Sequence, residues 1–111
     1  MRRADIKHKL FDSESHTIVE HTTRGYKLTE YLGIVPRISV FDEKCDGWFL
    51  IHLPTGTALF VEATITAARI LAEEIEEIEG VYFEETAYKN VDPRGLLRDF
   101  LEKEAFWRKE L

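Results

Sequence analysis

A single cysteine, Cys45, leaves this 111-residue chain unable to form an internal disulfide. A disulfide-stapled scaffold is excluded, and a reducing compartment is the simpler setting. Proline occurs three times and glycine six, too sparsely for a collagen-like or low-complexity chain. The glycines stand singly, whereas a loop that cradles phosphate needs them clustered. Long apolar runs are also missing. The longest uncharged stretch, residues 47–61, is broken by Pro54, Thr55 and Gly56 and falls short of the roughly 20 residues that span a bilayer. Near the start, Asp5, Lys7, Lys9 and Asp12 stand where a secretory leader would be apolar. A cytoplasmic protein with no membrane partner is expected.

A basic stripe is lacking too. Lys7, Lys9, Arg24, Lys27, Arg37 and Lys44 are dispersed among acids, so a nucleic-acid partner is disfavoured, because duplex binding depends on Lys and Arg displacing counterions. Negative charge is present in excess, and it is local. The chain carries a net −6, yet residues 62–85 hold eight glutamates against Arg69 alone, net −7. Such a patch is either the solvated face of a helix or a surface that steers a basic partner.

With 44% hydrophobic and 12% aromatic residues, the chain has enough apolar area for one core and is expected to form a single domain. Residues 1–15 read as a poorly patterned, loosely ordered lead-in. Residues 16–23 suit a strand and Arg24-Gly25 a turn, while residues 26–32 fit a short helix or a strand equally. A strand over residues 37–41 follows Pro36, then a polar loop over residues 42–47. Residues 48–53 and 57–61 form a hairpin around Pro54-Thr55-Gly56, completing a meander of about three strands.

Thr64 is placed to cap a helix running from Ile65 to about Glu79 and closed by Gly80. At 100° per residue, Ala68, Leu71, Ala72, Ile75 and Ile78 share its inner face. Glu73 and Glu77 point outward with Glu74 and Glu76 on the flanks, and Ile70 projects among them, out of place. Residues 81–88 alternate like a further strand. Asp92-Pro93 opens a last helix to about Lys109, with Leu97, Phe100, Leu101, Trp107 and Leu111 as its apolar stripe. Glu104 interrupts that stripe and Phe106 lies opposite it, which marks either a shifted register or frayed end, or a contact surface for a homodimer or another partner. The expected fold is α+β: an antiparallel sheet of three to five strands with two amphipathic helices packed on one face.

Residues 48–56, Trp-Phe-Leu-Ile-His-Leu-Pro-Thr-Gly, followed by Thr64, Ala68 and Leu71, form the one distinctive string. It resembles a hairpin-then-helix pattern of small phage and mobile-element proteins. The resemblance covers residues 47–79 and implies no activity; the acidic helix departs from the mixed charge of that pattern. His52 shares a strand face with Trp48 and Leu50, the setting of a structural histidine bonded to Thr55.

Catalytic and metal chemistry find little to work with. His8, His16, His21, His52 and Cys45 lack metal-ligand spacing. The acidic neighbours Asp42, Glu43 and Asp46 disfavour a Cys45 thiolate. His21-Thr22-Thr23 matches one half of a two-histidine phosphoesterase signature, but His52-Leu53-Pro54-Thr55 breaks the second. No enzyme, cofactor or metal is expected. The expected function is that of a small protein-binding inhibitor of phage anti-defence or immunity type, in which Glu73, Glu74, Glu76 and Glu77, with Ile70 as anchor and Phe106 as a further contact, engage the basic surface of a nucleic-acid-handling protein. The alternative is a nucleic-acid-binding module that uses the hairpin of residues 48–61.

Overall fold

A computed structural model describes residues 2–12, 14–38 and 44–110. Five antiparallel strands follow one another in sheet order: β1 (Arg2–Asp12), β2 (Thr17–Lys27), β3 (Leu32–Ile38), β4 (Lys44–His52) and β5 (Thr57–Glu62). Three helices follow among the described residues, α1 (Ile65–Glu76), the single turn α2 (Tyr88–Val91) and α3 (Leu96–Glu110). The α+β class and the antiparallel sheet are as expected, at the upper end of the strand count.

Residues 2–12 are a strand and not the expected lead-in: β1 pairs with β2 along eleven residues. Its alternation is genuine: Ile6, His8 and Leu10 are buried, while Asp5, Lys7 and Lys9 are exposed. A histidine in the middle of the apolar register hid the pattern. Nor does β2 turn at Arg24-Gly25; it continues to Lys27. Gly25 is there for space, since a Cβ would lie 2.0 Å from the Ile34 carbonyl oxygen. β2 touches β3 in only two residue pairs, Tyr26 with Ile34 and Lys27 with Gly33. The long β1–β2 hairpin therefore leaves the sheet plane and returns on the turn between β4 and β5, where the Lys9 N–H donates to the Gly56 carbonyl at 2.8 Å.

β3 begins four residues before Pro36, which sits where the register to β4 shifts. Residues 39–41 of the expected strand, and residues 42 and 43 of the expected loop, lie outside the described residues; Lys44 to Gly47 already belong to β4. The hairpin of β4 and β5 around residues 53–56 is as expected.

Strand alternation sends side chains to opposite faces and makes two cores. Leu32, Ile34 and Leu50 meet Ala68, Leu71, Ala72 and Ile75 of α1 and Leu97 and Leu101 of α3. On the other face Val35 and Ile51 are covered by Ile6.

Thr64 caps α1 as expected, its Oγ1 accepting from Ala67 N at 3.1 Å. The helix stops at Glu76, short of Glu79. The expected strand over residues 81–88 is absent: Phe83 is buried in the core, and its carbonyl is taken by a histidine side chain instead of a strand partner. Asp92 does cap α3, but from a distance. Its two carboxylate oxygens accept from Leu97 N and Arg98 N at 3.1 and 3.0 Å, and the helix starts at Leu96, beyond Gly95. Trp107 does not join the buried stripe and is 64% exposed; Leu111 lies outside the described residues.

Candidate functional site: an acidic helix face

Burying Ala68, Leu71, Ala72 and Ile75 fixes the rotation of α1 and turns Glu73, Glu74 and Glu77 into solvent. Glu76 is half-buried and accepts a hydrogen bond from the Thr29 hydroxyl. Ile70 is 52% exposed, beside a shallow groove shared by Ala67 and Glu74 with Glu104 and Arg108 of α3. The helix has no basic residue in its last turn. Arg69, its one cation, stands 3.7 Å from Glu73 with both side chains largely in water.

The tertiary structure redraws the acidic patch. Glu62, counted in the run, is removed from it: its side chain is fully buried at the end of β5 and paired with Arg108. Glu30, from the electrically neutral first half of the chain, stands on the loop whose Thr29 hydroxyl bonds Glu76 at the end of α1. Glu30 is the largest cause of a raised Tyr31 phenol pKa, followed by desolvation and then by Glu84 and Glu76. Three segments thus bring carboxylates to one place, the end of α1. No sequence run marks this convergence, because the loop between β2 and β3 is distant in the chain.

Phe106 is 61% exposed on α3 but lines a separate concavity with Asp99, Glu102, Lys103 and Trp107. The groove beside Ile70 does not include it. Glu104, which interrupts the apolar stripe, is half-buried because it joins Arg108 at 3.6 Å.

His52 is bonded to Thr55, as expected, and is wholly buried. Its Nε2 lies 2.7 Å from the Phe83 carbonyl and donates to it, so Nδ1 accepts from the Thr55 hydroxyl at 2.7 Å. Burial lowers its pKa, and the bond to Phe83 partly opposes that shift. Both ring nitrogens are engaged, which leaves no lone pair for a metal or a substrate. Among the described residues no group of three His, Cys, Asp or Glu side chains is placed to hold a metal ion.

The aromatic rings of the hairpin are also engaged. Trp48 meets Tyr26 at 6.2 Å, Phe49 packs on the second core, and Phe60 lies under the Arg108 guanidinium at 4.9 Å. A stacking platform for bases would need such rings free.

No protein-family model, no curated protein and no solved structure matches the chain. The phage-like resemblance of residues 47–79 therefore rests on those residues alone. No helix among the described residues is long and apolar enough to cross a membrane.

Proposed function

We propose that this protein is a small non-enzymatic inhibitor, of phage anti-defence or immunity type, whose acidic α1 face occupies a lysine- and arginine-rich surface of a nucleic-acid-handling protein in place of phosphate. One observation carries the reading. The C-terminal end of a helix is its negative pole and favours cations, yet α1 ends without a basic residue and exposes Glu73, Glu74 and Glu77 there. Around Tyr31, Glu30 and Glu84 add to the negative charge of Glu76. This arrangement opposes folding through the helix dipole and through self-repulsion, so its use lies outside the fold. Ile70 supplies an apolar contact within the charged surface, the usual makeup of an anchored interface.

The test is capture from a panel of purified nucleic-acid-binding proteins. At least one is expected to bind, to be displaced by DNA, and to be lost with Glu73→Lys, Glu74→Lys and Glu77→Lys combined. Binding that survives this charge reversal overturns the proposal, as does salt-sensitive retention of the protein itself on DNA.

A further inference from the structure

The β1–β2 hairpin is fixed to the rest of the molecule at its base and near its middle. At the base Tyr26 and Lys27 pair with Ile34 and Gly33 of β3. Near the middle the Lys9 N–H donates to the Gly56 carbonyl at 2.8 Å, and a Cβ on Gly56 would lie 3.3 Å from the His8 Cα. Between the two, Ile6 packs on Val35 and Ile51 in the smaller of the two cores. α1 and α3 belong to the other core.

The hairpin turns two histidines inward along this seam. His8 and His21 are directly opposite in the ladder, with ring centroids 6.2 Å apart. His8 is wholly buried; its Nε2 lies 2.8 Å from the Thr23 hydroxyl and its Nδ1 has no hydrogen-bond partner among the described residues. The turn packed against it presents Leu53, Pro54, Thr55 and Gly56, none of which titrates. On its own strand Lys7 and Lys9 flank it, and with Glu20 they line the same small cavity. Glu20 is directly opposite Lys9, so strand alternation puts it on the other face of the hairpin from both rings. His52, at the end of β4, is turned away to Thr55 and Phe83.

We infer that the β1–β2 hairpin is an acid-released flap: protonation of His8 opposite His21 opens the seam with the β4–β5 turn, while β3, β4 and the helices stay folded. A proton on the closed form puts an imidazolium in a buried place beside a second imidazole and between two lysines. A buried ion is tolerated only when it is paired, and swinging the hairpin out carries this one into water. Burial, followed by His21, holds the His8 pKa below its ordinary 6.5. The closed form is therefore fully favoured above about pH 6.5 and loses ground as the pH falls below it. Once off the turn, a hairpin of two strands is marginal in water, so β1 and β2 lose their protection together. The flap lies away from the acidic face of α1 and stands whether or not the proposed function holds.

Site-resolved hydrogen exchange on the full chain at about pH 7 and about pH 5, read as protection relative to the unfolded chain at each pH, tests the flap. Protection at the Lys9 amide and its β1 and β2 neighbours is expected to fall at least about tenfold, the effect of one pKa unit between closed and open forms. Amides of β4 and α1 should keep theirs. His8→Gln should hold the hairpin equally protected at both pH values, and His52→Gln should leave the local fall in place. A wild-type hairpin that keeps its protection in acid overturns the inference, as does a loss spread evenly over the hairpin, β4 and α1. A folded His8→Gln chain that still loses the hairpin in acid overturns it too.

Discussion

Arg108, near the end of α3, closes on Glu62, the last residue of β5, across 46 positions of sequence. The glutamate is fully buried and the arginine 41% exposed. Arg108 also covers the Phe60 ring and reaches Glu104. One guanidinium thus ties α3 to the edge of the sheet and neutralises a buried charge.

Removing the two partners should have unequal effects. Arg108→Ala leaves a carboxylate buried without a counter-ion, and about 3 kcal/mol of stability should be lost. Glu62→Gln leaves a half-exposed arginine that water can solvate, so a loss of about 1 kcal/mol is expected. Urea denaturation of the two variants and the wild type measures the difference; equal losses would contradict the assignment.

Stability should fall on mild acidification. His8 and His52 are wholly buried. Burial is the first cause that lowers each pKa below the ordinary 6.5, with His21 adding to the shift at His8. Above pH 6.5 both the folded and unfolded chains carry these rings neutral, and their contribution is fully present. Below it the unfolded chain takes up protons that the folded one resists. Stability then declines by up to about 1.4 kcal/mol per pH unit for each histidine. Denaturation midpoints between about pH 7 and about pH 5 should show this slope, and His52→Gln should reduce it.

Charge reversal on α1 should stabilise the fold. Replacing Glu74 and Glu77 by lysine relieves repulsion and places cations at the negative pole of the helix, worth about 0.3–1 kcal/mol for each position, while Glu73→Lys gives back part of that gain by losing its pair with Arg69. A melting temperature that rises as partner binding is lost is the expected signature. A fall in melting temperature would mean that these carboxylates serve the fold.

Gly25→Ala should disrupt the junction of β2 and β3. Its new Cβ would lie 2.0 Å from the Ile34 oxygen and 3.0 Å from a Val35 methyl, so one strand must move. A loss of more than about 2 kcal/mol is expected, in the range of overpacking. Proteolysis of the β1–β2 hairpin at unchanged helical circular dichroism would localise the damage.

Local rules sufficed wherever an element depends on its own residues. Thr64 caps α1 because a threonine hydroxyl three residues before an amide reaches it without help from elsewhere. The hairpin of β4 and β5 follows from Pro54-Thr55-Gly56, with Gly56 at φ +72°, and the bond between His52 and Thr55 spans only three residues. Pattern reading failed where distant groups decided. β1 reads as irregular until His8 is known to be buried with its Nε2 2.8 Å from the Thr23 hydroxyl. Residues 81–88 alternate like a strand, but the demand of His52 for the Phe83 carbonyl draws that backbone into turns.

The candidate surface divides in the same way. The sequence by itself determined that an acidic helix exists, that Glu73, Glu74 and Glu77 face water and that Ile70 stands among them, because helical period and apolar spacing settle rotation about the axis. Only the tertiary structure decided which charges count. It took Glu62 out of the patch by burying it beneath Arg108, brought Glu30 in through the loop before β3, and set Phe106 in a different concavity from Ile70. Coulomb forces act through space and depend on burial, and neither separation nor burial is written in the order of residues along the chain.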